Sequence, residues 1–238
     1  MTIYLMDAGL LSDGMLDRLI ALLPPERRET VLRRQAAGRR EAAATSILGY
    51  YALTATEEKE GAVLRWVSPT VLMRDKAALR RCARSVGWPV GKYGQPFPEG
   101  TFLGKERRFL SLSHSRDMAA VGVDSAPLGI DLQRWESGSP ERLRKIAAKL
   151  HPDERARLDP LEGAALTREF YRLWTQKESV LKLCGRGLSL PLSGFCIDQE
   201  GRSRVEGRAA ATQVWELPDA TLAAAFWTGR ESVGNGRE

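Results

Sequence analysis

Three side chains able to do chemistry stand close together in REFYRLWTQKESVLKLCGRGLSLPL, Arg168 to Leu192: Lys177, Glu178 and Lys182. At about 100° per residue, Phe170, Leu173, Trp174, Leu181 and Cys184 form one apolar stripe of a helix, and Lys177 falls inside it. Glu178 and Lys182 lie together at its edge. Two readings are open. In one, Glu178 and Lys182 are an ordinary i,i+4 pair worth about 0.3–0.5 kcal/mol, and Lys177 snorkels its ammonium past the stripe. In the other, these cations and the carboxylate face a cleft beside the turn made by Gly185 and Gly187, where they can hold a diphosphate and a divalent metal.

Two further stretches carry polar groups. In GIDLQ, strand alternation puts Ile130 and Leu132 on one face and Gly129, Asp131 and Gln133 on the other. A strand with an apolar face in the core and an acid-bearing face in a cleft suits Mg2+, with Asp131 as ligand and Gln133 as a carbonyl or outer-sphere partner. In SLSHS, Ser113 and His114 end a strand, and no nucleophile elbow accompanies them. His114 is suited to donate to a phosphate.

These residues need strands and helices to position them. IYLM (Ile3–Met6), RFLSLSHS, MAAVGV and LGIDLQRW read as strands, with FCIDQEGRSRV as a hairpin and ATQVWEL and TLAAAFW after it. SDGMLDRLIALL reads as a helix capped by Ser12 or Asp13, a longer helix runs from about Arg39 to Thr56, and TVLMRDKAALRRCARSVG reads as one helix closed by Gly87. SPERLRKIAAKL is another, and WPVGKYGQPFPEG is a loop. The alternation lacks a regular βαβ rhythm, which predicts an α+β fold in two halves. DSAP, Asp124–Pro127, is turn chemistry near mid-chain and marks the boundary: residues 1–125, residues 126–230, and a disordered tail 231–238.

The 238 residues carry a net charge of +6 and a pI of about 9.4. A basic surface suits phosphate-bearing ligands, nucleic acid or an acidic protein. Cys82, Cys184 and Cys196 are far apart in the sequence, which argues against a structural zinc and predicts a cytoplasmic protein. No export signal or apolar run long enough for a bilayer is visible.

Taken in order, YGQP, SLSHS, GIDLQ and FYRLWTQKESVLKLCGRGLS resemble the 4′-phosphopantetheinyl transferases, closest to the monomeric surfactin-synthetase-activating type. The likeness runs from Tyr93 to Leu192 and is fainter at IYLMD and LPPERRE. Its most specific element is W-x-x-K-E-[SA]-x-x-K followed by a Gly-x-Gly-Leu turn. The resemblance implies two similar α+β halves related by a pseudo-twofold, with coenzyme A in the cleft between them. It implies Mg2+-dependent transfer of the phosphopantetheine arm to a serine of an apo acyl or peptidyl carrier protein. Adenosine 3′,5′-bisphosphate is released. Carried over, Asp131 and Glu178 are the metal acids and Glu178 the base. Lys182 neutralises the diphosphate, Lys177 contacts phosphate, and Glu154 helps organise the site. Ser113, His114 and Arg27 approach the 3′-phosphate, with Tyr93, Gly94 and Gln95 near the adenosine.

The sequence departs from the pattern at three places. Gln133 stands where many members carry a second strand carboxylate, Gln95 where a lysine is usual, and Thr30 where another basic residue is common. Arg28, Arg33, Lys92 or the Arg39–Arg40 pair could compensate. One rival reading is a non-catalytic coenzyme A or carrier-binding module of the same fold. A nucleic-acid binder is the other, but no RNA- or DNA-binding motif accompanies the arginines. No nucleic acid and no membrane are expected as partners.

Overall fold

The computed structural model describes residues 1–55, 61–89, 98–100, 108–136 and 139–229. The expected sites at Tyr93, Gly94 and Gln95, the basic Lys92 and the tail 231–238 lie outside these residues.

Along the first part of the chain run β1 (Thr2–Asp7), α1 (Asp13–Ile20), α2 (Pro25–Leu32), α3 (Ala36–Thr54), β2 (Val63–Trp66), α4 (Pro69–Arg74), α5 (Lys76–Ser85), β3 (Val86–Gly87) and β4 (Glu99–Gly100). Then come β5 (Phe109–Ser115), β6 (Met118–Asp124), β7 (Leu128–Arg134), α6 (Pro140–Ala147), α7 (Pro152–Leu158), α8 (Gly163–Cys184), β8 (Arg202–Val205), β9 (Arg208–Leu217) and β10 (Ala220–Trp227).

The elements form an α+β fold with two four-stranded sheets. The first has the order β2-β1-β6-β5 and the second β7-β10-β9-β8. Both share one plan: the opening strand (β1 or β7) pairs antiparallel with the closing strand (β6 or β10), which pairs with the strand before it. In both, a long helix (α3 or α8) lies between opening and closing strands in the chain. β2 adds a parallel strand beyond β1, and β8 an antiparallel one beyond β9.

Strand alternation explains the layers. In β1, Tyr4 and Met6 face a core shared with Ile47, Leu48 and Leu79 of the helices, while Ile3 and Leu5 face the other way. That second face meets Ile130, Leu132, Leu222 and Ala224, so the sheets close an apolar layer between them. α8 covers the far side of the second sheet with Leu173, Val180 and Leu181.

Several boundaries differ from the sequence reading. The helix expected from Arg39 begins at Ala36 and ends at Thr54. The segment expected as one helix is two, because Asp75 adopts φ −89°, ψ 12° and turns the chain so that Leu79, Cys82 and Ala83 reach the core. Gly87 is not its cap; the chain leaves α5 through extended Val86. The hairpin expected in FCIDQEGRSRV shrinks to one bridge, Ile197 to Ser203. The full hairpin is β8–β9, whose two-residue turn Glu206–Gly207 has both φ angles positive, at 50° and 82°. Ser12 caps α1 by accepting from the Met15 N–H, as expected.

Candidate active site

β7 is an edge strand of the second sheet, so alternate N–H groups along it have no strand to pair with. Serines of β5 meet them. The N–H groups of Ile130, Leu132 and Arg134 donate to the hydroxyls of Ser111, Ser113 and Ser115 at 2.9, 3.0 and 3.0 Å. Both strands have period two, so S-x-S-x-S fits the edge in register. This stitching joins the sheets beside Asp131.

α8 crosses the other face of β7 at Gly129. A Cβ there would lie 2.0 Å from the Ser179 carbonyl oxygen and 2.4 Å from the Leu183 nitrogen. The lack of a side chain lets the helix come this close and sets Glu178 and Lys182 beside Asp131.

Asp131 is buried, and its oxygens are heavily used. Oδ1 accepts from the Ser113 hydroxyl at 2.9 Å and from the Lys182 ammonium at 2.8 Å, and Oδ2 from the Gln133 amide at 3.1 Å. Lys182 also donates to the Leu112 carbonyl at 3.2 Å, so one cation from α8 touches both sheets. Lys182 therefore pairs with Asp131 rather than with Glu178 on its own helix. Glu178 is half-buried, with no ion pair to another described residue. Burial, then the Asp131 carboxylate, pushes its pKa up, and Lys182 opposes this.

The donor set fits Mg2+. Among the described residues Glu178 is uncommitted and Asp131 Oδ2 keeps one lone pair, and two close carboxylates on a partly dry surface repel until a cation arrives. Gln133 orients Asp131 through its NH2. A softer donor group, His151, Asp153 and Cys196, lies elsewhere, with ligand atoms within 4.8 Å of one another. There the His151 Nδ1 already caps α7 by accepting from the Asp153 N–H at 3.3 Å.

A basic zone lies next to these acids. His114 Nδ1 is 3.0 Å from Glu41 of α3. Burial still holds the His114 pKa below the usual imidazole value; Glu41 pulls it up, while Arg34 and Lys182 push it down. Arg27 donates to Ser46 at 2.8 Å and sits 5.8 Å above the Trp88 ring. Burial lowers the Arg27 pKa too, and Arg34 adds to this. Arg34 therefore acts on both Arg27 and His114. It was not singled out among the many arginines of its segment.

The compensating arginines named from the sequence are committed elsewhere. Arg28 donates to the Ala21 and Leu23 carbonyls, Arg33 pairs with Glu29, Arg39 donates to the Leu32 and Arg34 carbonyls, and Arg40 pairs with Asp13. Thr30 bonds the Glu26 carbonyl.

The structure gives three of the expected residues partners within the protein. Lys177 does not line the cleft: it is fully buried and donates to the Leu192 carbonyl at 2.7 Å, to the Phe195 carbonyl, and to Glu154 at 2.9 Å. Three donors meet three acceptors, leaving nothing for a phosphate. Glu154 is equally buried, and its oxygens take the Lys177 ammonium and the N–H groups of Ile197 and His151. It ties α7 and the 192–197 segment to α8 and does not touch Asp131. Ser113, expected near the 3′-phosphate, spends its hydroxyl on Asp131 and the Leu132 N–H. The single stripe of α8 was too narrow, because Tyr171, Thr175, Gln176 and Ser179 are buried as well.

Residues 127–225, with β7, α8 and the β8–β10 hairpins, match the 4′-phosphopantetheinyl transferase superfamily. A 4′-phosphopantetheinyl transferase of Bacillus subtilis is 32% identical over 147 residues, covering 56% of this chain and 53% of that protein. The 4′-phosphopantetheinyl transferase Sfp of Bacillus subtilis strain 168 is 32% identical over 121 residues, 48% of this chain and 49% of its own length. The 4′-phosphopantetheinyl transferase gsp of Aneurinibacillus migulanus is 30% identical over 109 residues, 45% of this chain and 42% of its own length. The chain thus spans about half the length of the relatives it matches.

Proposed function

We propose, from the match of residues 127–225 to the 4′-phosphopantetheinyl transferase superfamily, that the protein moves the 4′-phosphopantetheine arm of coenzyme A onto a serine hydroxyl of an apo carrier protein. The observation that carries this reading is the meeting of Asp131, Glu178 and Lys182 where α8 crosses β7, beside the basic zone of Arg27, Arg34 and His114.

The serine oxygen attacks the pantetheine-side phosphorus, and the bond to the bridging oxygen breaks. Adenosine 3′,5′-bisphosphate leaves with the electron pair. Glu178 takes the serine proton; its raised pKa suits a base near neutral pH, where such groups contribute about 10²- to 10⁴-fold. Lys182 neutralises charge on the leaving phosphate from a position fixed by Asp131 and the Leu112 carbonyl. Asp131 and Glu178 would hold Mg2+, which when bound supplies charge neutralisation and orientation of the diphosphate. His114, Arg34 and Arg27 receive the 3′-phosphate. The Ser113 hydroxyl and the Gln133 amide keep Asp131 in place.

The site draws on both sheets of one chain, so the proposal extends to a working monomer. Free thiols at Cys82, Cys184 and Cys196 suit a reducing compartment such as the cytoplasm. No helix among the described residues is long and apolar enough to cross a membrane.

The test is a panel of apo carrier proteins with coenzyme A and Mg2+, read by intact mass. The proposal expects one phosphopantetheine added per serine. Coenzyme A binding with every carrier unchanged in mass would instead identify a binding module of the same fold.

A further inference from the structure

Apart from the β7–α8 site, three side chains of metal-binding type converge where the start of α7 meets the 192–197 segment. His151 caps α7, Pro152 opens it and Asp153 follows. Cys196 comes from the other segment. One ligand atom from each of His151, Asp153 and Cys196 lies within 4.8 Å of the other two. Scattered cysteines exclude a zinc site made of cysteine alone, but the fold brings one cysteine to a His-Pro-Asp turn.

One buried carboxylate holds both pieces of chain in place. Glu154 accepts the His151 N–H at 3.1 Å through Oε2 and the Ile197 N–H at 2.7 Å through Oε1. Lys177 binds the same carboxylate and the Phe195 carbonyl. The residues on both sides of Cys196 are therefore tied down, as is the backbone of His151. Between the other two ligands, Pro152 locks its own φ. Backing of this kind orients ligand side chains before a metal arrives.

His151 Nδ1 faces Asp153 Oδ2 at 3.5 Å. On a tetrahedral Zn2+ with bonds of about 2.0–2.3 Å, neighbouring ligand atoms stand about 3.3–3.6 Å apart. Small χ adjustments of Cys196 and of the exposed Asp153 close the rest. The Asp153 N–H bond to Nδ1, at 3.3 Å, is long for a hydrogen bond and exposed, so water can take its place. A proton on the ring answers to two of the three atoms; a metal answers to all three.

We infer that His151, Asp153 and Cys196 bind a borderline divalent metal, Zn2+ by ligand type, which clamps α7 to the 192–197 segment. An imidazole, a thiolate and a carboxylate suit Zn2+, whereas Mg2+ takes oxygen ligands. Binding releases the thiol proton to solvent. One thiolate and one carboxylate then balance the two charges of the metal, which leaves the Lys177–Glu154 pair beneath undisturbed. Water fills the fourth position on the side of Asp153. The same residue types could make a nucleophile, but burial and Glu154 push the Cys196 thiol up against Lys177 and Arg157, so without a metal the sulfur keeps its proton.

Co2+ is the probe, because a thiolate bound to it gives a charge-transfer band in the near ultraviolet that oxygen ligands do not. Metal-free full chain is titrated with Co2+ in excess Mg2+, which occupies oxygen-ligand sites. The band should saturate at one Co2+ per chain, and Zn2+ should abolish it by displacement. Cys196→Ala should lose the band and Cys184→Ala should keep it. Asp153→Asn should weaken Co2+ binding at least about tenfold, about 1.4 kcal/mol. Zn2+ should raise the Tm of the wild type but not of Cys196→Ala. Melting curves check that the variants fold; Asp153→Asn changes an exposed side chain and keeps the test open if Cys196→Ala does not fold. No band, a band that survives Cys196→Ala, or Co2+ affinity unchanged in Asp153→Asn would overturn the inference. No readout here uses transfer, so the metal site stands or falls apart from the proposed function.

Discussion

Gly129 of β7 and Ser179 of α8 meet backbone to backbone: a Cβ on Gly129 would lie 2.0 Å from the Ser179 carbonyl oxygen. Glu178 precedes Ser179, and Lys182 follows one turn later. Asp131 is the next residue on the same face of β7. The height of the helix above the strand at Gly129 thus sets the distance between Asp131 and the two α8 side chains. Gly129 touches no reacting group, yet it fixes the geometry of those that do.

Gly129→Ala should therefore act on both stability and chemistry. Overpacking of this kind costs about 1–3 kcal/mol, and the obstruction is backbone, which cannot swing aside. Lifting α8 would also stretch the Lys182–Asp131 contact, and a shift of about 1 Å can cost about 10²-fold in rate. Urea denaturation and turnover on an apo carrier check this together. Wild-type turnover in a folded Gly129→Ala protein would show that α8 can move without harm to the site.

The Lys177–Glu154 pair makes a different prediction. Both side chains are fully buried. Burial lowers the Lys177 pKa more than Glu154 raises it. Removing one partner of such a pair leaves the other charge stranded, at about 3–5 kcal/mol. Lys177→Met should lose stability of that order in urea, and adding Glu154→Gln should recover part of it. The KM for coenzyme A should stay near wild type in any folded fraction. A large rise in KM at unchanged stability would restore the phosphate role that the sequence implied.

Local pattern made much of this site readable. The alternation of GIDLQ put Asp131 opposite the core residues Ile130 and Leu132, and helical spacing put Glu178 and Lys182 on one border. What spacing could not show was tertiary demand. Lys177 and Glu178 are neighbours in sequence, but one turns into the junction of α7, α8 and Phe195 while the other turns toward Asp131. Choosing between them requires knowing what packs behind the helix. The resemblance tied Ser113 of SLSHS to a phosphate, yet the period-two spacing of Ser111, Ser113 and Ser115 was the edge-stitching signal, invisible until β5 lay beside β7. Arg34 and Glu41 were hidden for another reason: in an arginine-rich segment, residue type alone does not say which charge faces His114.

His114 gives a pH prediction. The folded protein holds its proton less tightly than the unfolded chain does, because burial outweighs the attraction of Glu41. Its contribution to stability is thus complete above the unfolded value of about 6.5 and declines as pH falls from there toward the lower folded value. The chain has two histidines, His114 and His151, so NMR titration can follow each. His114 should titrate below 6.5, and Glu41→Gln should move it lower still. Adenosine 3′,5′-bisphosphate should move it up, since a phosphate favours the charged ring. A free-protein value above 6.5 would mean that the Glu41 pair prevails over burial.

Gln133 supplies the sharpest test of the metal site. Its amide donates to Asp131 Oδ2 at 3.1 Å, which orients the acid without adding charge. Gln133→Glu exchanges that donor for a third carboxylate near Asp131 and Glu178. Without metal, the three acids repel, so the variant should melt below wild type in EDTA. With Mg2+ the same crowding becomes an advantage, and the Mg2+ concentration for half-maximal transfer should fall. Mg2+ should also raise the Tm more than it does in the wild type, by mass action on the folded state. Glu178→Ala is the reference: it removes both base and ligand, so transfer should drop by about 10²-fold or more with little Mg2+ effect on Tm. If Gln133→Glu instead loses activity at every Mg2+ concentration, the amide acts through its N–H bond to Asp131, and no carboxylate can take its place.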